Sequence, residues 1–508
     1  MKRDQFAGRY FIKIISSIII ALCNMGVQFM LPRALDVGEY GLYTYNLNVF
    51  TSVVVMANLS TSSALVAKYS KRCEDIGYVQ FYLFFYAVVS FVLTVGVMLL
   101  FRIESIRNSF GGQSLILVLL GLEAALITKL MSDVISIYDA AAISRFPSII
   151  HIILRIVLCA FVASTFIMGR LNLRMFYLGQ ISIILAVVVF LVFEFFKDYK
   201  QNYPVYEKRP IKEYAIEYYQ FCKPLVFAGI ISQGIIILMN YTLLKHAGTT
   251  EQAMFGAAWQ LNTLVCYIFS PYAELMKREF AVLVNQKELL ERRLWQSIKT
   301  IVWIVTYFAI FIAVFAQWLL PLLFGENYKG AILVTQMIMI YTIFQAWGQL
   351  CGSYMIATES TKGYAVLSVI GQAVSVVCVF LFQVPNFIFE DGLGSFGIGL
   401  TYMCTNYISV VVMMIYLTKG VKNAHIRMHG IYLLAIISCV VFALFTRLCF
   451  GSLIMHQGRL VPLLGIILSG MIYSLLVGIE LYLIPNLVGI QRETIKRYAR
   501  KIIMKWKR

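Results

Sequence analysis

The stretch FIKIISSIIIALCNMGVQFML, Phe11 to Leu31, decides the class of fold. A helix needs ~20 mostly apolar residues to cross the hydrocarbon layer of a bilayer, and this run supplies them with one charge, Lys13. Its polar members Lys13, Ser17, Asn24 and Gln28 fall within about 60° of one another at 100° per residue. That is a polar stripe along a whole helix, headed by a cation. It reads either as the lining of an aqueous cavity or as helix–helix hydrogen bonding with Lys13 snorkelled to the inner interface. The first ten residues are polar and basic, and no small-residue cleavage site follows, so the run is an uncleaved span and not a signal peptide.

Thirteen further segments of the same kind follow: 42–66, 79–101, 113–137, 148–168, 175–197, 224–245, 253–276, 298–324, 331–356, 364–384, 396–418, 431–450 and 461–485. They account for a chain of 508 residues that is 60% hydrophobic and only 13% charged. No single soluble core hides so much apolar surface, because cores stop growing near ~250–300 residues. The expectation is an all-α polytopic membrane protein with about fourteen spans. Of the 43 Lys and Arg, 31 fall on one side of this scheme, nine on the other and three (Lys13, Lys129, Arg155) within spans. The basic side is cytoplasmic, so both termini are expected inside the cell membrane. The net charge of +18 then belongs to inner loops and does not point to nucleic acid.

No connection exceeds about thirty residues, which leaves no room for a catalytic ectodomain or a nucleotide-binding domain, and no G-x-x-x-x-G-K-[ST] loop occurs. Nothing calls for a cofactor, a metal or a catalytic nucleophile. The ten cysteines sit singly in apolar surroundings and read as small hydrophobes. The five histidines form no H-E-x-x-H. Gly392, Gly394, Gly397 and Gly399 read as a turn and close helix packing. Segment 198–223, rich in Tyr and charge, reads as an interfacial linker, and 277–297 as an amphipathic helix on the inner surface.

Shifting the chain by 212 positions lays Arg33 on Lys245, Glu39 on Glu251, Leu42–Tyr43 on Met254–Phe255 and Asn48 on Gln260. A duplicated six-helix unit leaves this kind of trace, and transporters built from such halves place their site between them. Polar residues recur inside the spans: Asn48, Thr51 and Ser62 on one face of the second, Gln233 and Asn240 on the seventh, Thr263, Tyr267, Ser270 and Glu274 on the eighth. The fourth span holds Glu123, Lys129 and Asp133. Lys129 and Asp133 pair at i, i+4, while Glu123 points elsewhere, with Arg155 of the fifth span as a candidate partner. These charges read either as a structural ion-pair network or as cations for a substrate anion beside a carboxylate able to take up a proton.

The run Leu31-Pro32-Arg33-Ala34-Leu35-Asp36-Val37-Gly38-Glu39-Tyr40-Gly41-Leu42-Tyr43 resembles the mark after the first span of polysaccharide-repeat flippases, the O-antigen and capsule (Wzx-like) flippases of the multidrug/oligosaccharidyl-lipid/polysaccharide exporter superfamily. Leu323-Phe324-Gly325-Glu326-Asn327-Tyr328-Lys329-Gly330-Ala331 resembles a second mark, and Pro224 followed by Asn240 a third, with an amide where relatives often carry an acid. The resemblance implies two six-helix lobes in a MATE-like arrangement plus two C-terminal helices. On this chain they would be 1–197, a cytoplasmic linker 198–223, 224–418, extra helices 419–485 and a basic cytoplasmic tail 486–508. It implies a substrate, an undecaprenyl-pyrophosphate-linked oligosaccharide, moved from the inner to the outer leaflet by alternating access.

Lys13, Arg33, Lys129, Arg155 and Lys245 would then neutralise the diphosphate, and Asn24, Gln28, Asn48 and Asn240 would replace the water of the sugars. Glu123, Asp133 and Glu274 are the coupling candidates, and a polysaccharide polymerase and a chain-length regulator are candidate partners beside the bilayer itself. Two rivals stand: an ion-coupled multidrug exporter of the same fold, whose cavity should be dominated by acids, and a polysaccharide polymerase or ligase, which needs a long outer loop that this chain lacks.

Overall fold

The computed structural model describes residues 6–70, 72–141, 143, 145–202, 209–358, 360–418, 424–454 and 460–485. Inside its helices the side chains of 6–14, 224, 225 and 274, with some others, are outside the description. Lys13 and Glu274 are therefore placed only by their backbone, and the 486–508 tail lies outside the described residues. The described chain is helical throughout: α1 Phe6–Ala34, α2 Val37–Ala57, α3 Thr61–Tyr69, α4 Gly77–Leu100, α5 Glu104–Ser109, α6 Leu115–Ala140, α7 Arg145–Ile167 and α8 Leu173–Asn202. There follow α9 Ile211–Val282, α10 Lys287–Phe324, a 3-10 turn Glu326–Ala331, α11 Ile332–Ala357, α12 Thr361–Phe382, α13 Gly394–Leu417, α14 Ala424–Ile454 and α15 Leu460–Leu483.

Twelve helices among the described residues are long and apolar enough to cross a membrane, and thirteen if the bent pair α2–α3 is one span. The fourteen expected segments are reached only by also dividing the 42-residue Val226–Tyr267 stretch at Gly248, where φ 84 and ψ −177 interrupt α9. Large apolar side chains stay uncovered on the outside of these helices: Phe84 is 64% exposed, Phe91 70% and Leu448 84%. Water would oppose such a surface and lipid does not. The architecture is that of a multi-pass membrane protein.

The chain divides into two units, Met1–Gly256 and Ala257–Arg508. In the first, α6 is the centre, packed against α2, α3, α4 and α8, while α7 lies against α1 and α8. In the second, α11 lies between α10 and α13, α12 packs on α13, and the last pair α14–α15 packs on α10. There Tyr473 donates to the Tyr307 carbonyl at 3.0 Å, and Arg447 sits over the Trp318 ring at 5.0 Å.

One expectation differs locally: the second span is not one helix. Leu59 and Ser60 take φ of 50° and 63°, and α2 and α3 meet at a 54° bend. Ser62 consequently does not continue the face of Asn48 and Thr51. Left-handed backbone costs a non-glycine residue ~1–2 kcal/mol, and the side chain of Asn58 offsets it locally. Its Oδ1 accepts from Thr61 Oγ1 at 2.7 Å and from the Ser62 N–H at 3.1 Å.

Of the linker 198–223, the first residues end α8 at Asn202 and those from Ile211 are the first part of α9. Arg209 pairs with Asp75 and with Glu217 (3.0 Å) and lies over the Tyr214 ring at 4.6 Å, while Tyr214 donates to Asp75 at 2.6 Å and Tyr78 to Glu217 at 2.5 Å. The segment 277–297 is the end of α9 and the start of α10, clasped by the forked pair Arg293–Glu279 at 2.8 and 3.3 Å.

Candidate functional site

In the first unit, α2, α6 and α8 enclose a cavity of about 220 Å³. Its wall is apolar along Leu47, Val54, Ala124 and Ala125 and polar at Tyr43, Thr51, Thr128, Lys129, Ser132, Tyr177 and Gln180. Gly121 lets α2 come close, since a Cβ there would stand 3.3 Å from that of Asn46. Asn46, fully buried, exchanges hydrogen bonds with Gln113 at 2.8 and 3.3 Å, which fixes α2 against the start of α6.

Lys129 is the cation of this wall. It pairs with Asp133 one turn on, as the i, i+4 spacing implied. Asp133 is only 3% exposed. A lone charge at such depth costs ~2.5–3.5 kcal/mol even on the lenient insertion scale, so the pair requires further donors. Tyr82 supplies one, donating to Asp133 Oδ2 at 2.5 Å, and Tyr82 in turn accepts from Asn58 Nδ2 at 3.1 Å. A line of hydrogen bonds thus runs from the cavity cation to the bend between α2 and α3. Tyr82 and Asn58 carry no motif in the sequence. Both are buried; packing of α4 on α6 brings Tyr82 to Asp133, and packing of the α2–α3 bend on α4 brings Asn58 to Tyr82.

One more expected residue reaches the cavity through Tyr43: Gln28 Nε2 donates to Tyr43 Oη at 3.5 Å. Arg155 Nε donates to His151 Nε2 at 3.2 Å, which makes His151 an acceptor and hence neutral. The pairing of Glu123 with Arg155 does not occur. Glu123 accepts instead from Thr94 Oγ1 of α4 at 2.8 Å, because α4 and not α7 covers that face of α6. Asn24 is half-buried on α1.

The other candidates lie apart from this cavity. Asn240, 1% exposed, accepts through Oδ1 from Asn48 at 3.0 Å and from Gln252 at 2.9 Å, a buried amide cluster that joins α2 to α9. Arg33, at the end of α1, and Lys245, shortly before the Gly248 break, are both exposed. The two positions matched by the internal repeat thus each precede a helix interruption. In the second unit, Thr263 of the face expected on the eighth span donates to the Trp259 carbonyl at 3.0 Å. Asn262, 2% exposed and unremarked in the sequence, accepts from Thr342 at 2.7 Å. Trp259 packs against Tyr402 at 5.0 Å and Tyr341 at 5.8 Å. All ten cysteines are free.

No family model matches the sequence, and no curated protein matches it. Solved structures do. The chain is similar to the lipid II flippase MurJ in an inward closed conformation, at 14% identity and TM-score 0.65, over 92% of this chain and 98% of that one. It is also similar to a multidrug resistance MATE family transporter of the MOP superfamily, inward-facing at 13% identity and TM-score 0.61, and outward-facing at 14% and 0.55, each over 80% of this chain. At these identities the likeness is one of fold, and the chain has the all-α fold that these flippase and transporter structures share.

Proposed function

We propose that this chain is a flippase that carries an undecaprenyl-pyrophosphate-linked oligosaccharide from the inner to the outer leaflet of the cytoplasmic membrane by alternating access, for surface polysaccharide synthesis. The observation that carries the reading is a cavity cation, Lys129, set among hydroxyl side chains and the Gln180 amide inside a fold shared almost end to end with the lipid II flippase MurJ. A diphosphate and hydrated sugars cannot enter hydrocarbon unaided. Lys129 supplies charge for the phosphates, and Thr51, Thr128, Ser132 and Gln180 supply partners for hydroxyl groups. In this reading the lobes 1–197 and 224–418 rock against each other, and the polyprenyl tail stays in lipid.

The MATE-type neighbours and the membrane-embedded carboxylates Glu123 and Asp133 favour a second reading, an ion-coupled exporter of drug-like molecules. One experiment separates them. The full-length protein is reconstituted into liposomes with a fluorescent polyprenyl-diphosphate oligosaccharide in one leaflet and, in parallel, with a cationic dye. Movement of the lipid and not of the dye supports the flippase, and the converse supports the exporter. In cells, Lys129→Ala is expected to abolish surface polysaccharide at unchanged protein level, as are Lys13→Ala and Arg155→Ala. Normal polysaccharide in all three variants removes the cavity-cation idea.

A further inference from the structure

The line Lys129–Asp133–Tyr82–Asn58 begins at a ligand-sized space and ends at the one bent helix pair among the described residues. The space of about 220 Å³ is below the ~300–1,000 Å³ of sites that hold a whole drug-sized molecule, a size that suits a phosphate headgroup. The Tyr177 hydroxyl on its wall is buried close to Asn46 yet makes no well-formed hydrogen bond. Tyr82 is fully buried and Asn58 3% exposed, so neither meets the ligand.

We propose that a phosphate or diphosphate ester in this cavity takes Lys129 away from Asp133, and that Tyr82 and Asn58 report the exchange to the α2–α3 bend. This rests on the reading of the cavity as a headgroup site. A doubly charged phosphate is a stronger partner for an ammonium than a carboxylate is. Asp133, deprived of its cation, draws harder on the Tyr82 hydroxyl hydrogen. A hydroxyl that donates more strongly also accepts more strongly, so the Asn58–Tyr82 bond tightens with it. Asn58 is the residue whose Oδ1 holds Thr61 and the Ser62 N–H at the start of α3. The bend is thereby stiffened when the cavity is filled. Tyr82 and Asn58 are positioning residues, and Lys129 is the residue that binds.

The test uses the full-length protein in nanodiscs, with inorganic pyrophosphate, farnesyl diphosphate and farnesol as probes. Binding is measured by calorimetry and the bend by amide hydrogen exchange over residues 56–64. Both diphosphates are expected to bind and to slow exchange at the bend, and farnesol to do neither. If farnesyl diphosphate acts and inorganic pyrophosphate does not, the ligand is a lipid-borne headgroup and the proposal stands in that form. Lys129→Gln should weaken binding by about tenfold or more, the loss of one charge-assisted hydrogen bond, and Lys129→Arg should restore it. Tyr82→Phe, which removes one oxygen, should weaken binding less than Lys129→Gln does, since the coupling is reciprocal, and abolish the exchange response.

Wild-type binding in Lys129→Gln overturns the proposal. So does an undiminished response in Tyr82→Phe, or no response to either diphosphate in the wild type. A protein that shows the switch but moves no lipid-linked oligosaccharide loses the flippase reading alone. One that moves it but shows no exchange response at the bend to either diphosphate loses this inference alone.

Discussion

Gly41 shows how much a single residue decides in this molecule. A Cβ built on it would lie 1.9 Å from the Thr249 carbonyl oxygen, so backbone would have to move to admit even a methyl group. Gly229, also helical, has nothing within 4 Å of the same construction. Gly41→Ala is therefore expected to lower the thermal unfolding midpoint, by the equivalent of about 1–3 kcal/mol as for overpacked cores. Gly229→Ala should raise it slightly, by the helix preference of Ala over Gly, ~0.5–1 kcal/mol. Equal shifts in the two variants would contradict the close approach of α2 to α9. At this scale the sequence was informative only where partners are close along the chain. Lys129 and Asp133 were legible because four residues bring them onto one face. The partner of Glu123 was not, because Thr94 lies in another helix, 29 positions away.

At the scale of elements, the linker that becomes the start of α9 is held by Arg209, Asp75, Tyr78 and Glu217. Burial by itself raises the Glu217 carboxyl, but hydrogen bonds from Tyr78 and Arg209 and the charge of Lys68 overcome it and hold the group below the usual carboxylate range. A carboxyl lowered in the folded state contributes stability above its unfolded pKa, near ~4.3, and loses it as pH falls through the folded value. Amide protection across 211–222, corrected for intrinsic exchange, should stay level from neutral pH down to that range and fall below it. Glu217→Gln should show lower protection at pH 7 and no such step. An unchanged profile in Glu217→Gln would mean that other groups hold the latch. Composition identified this segment as charged and aromatic but could not show it folded, since its partners Asp75 and Tyr78 come from the α3–α4 connection and the first turn of α4.

For the whole molecule, the asymmetry of Lys and Arg makes a prediction independent of any substrate. The turn between α12 and α13 should face outward, and that between α9 and α10 inward. A thiol introduced at Asp391 in a cysteine-free background should react with an impermeant maleimide in intact spheroplasts, and one at Lys287 only after permeabilisation. The reverse pattern would invert the orientation and, with it, the direction proposed for transport.

The sequence by itself determined that this is a membrane protein of many helices and roughly where each span lies. Hydropathy over ~20 residues is a local property, and lipid permits an isolated segment only one structure, the helix. It also determined the Lys129–Asp133 pair, through helical spacing. Only the tertiary structure decided which polar residues share a cavity, that Thr94 and not Arg155 holds Glu123, and that the second span bends at Leu59–Ser60. It also decided that Asp133 is joined to that bend through Tyr82 and Asn58. Each of these rests on helices distant in sequence meeting side by side, and a buried polar atom takes whichever partner packing brings within 3 Å.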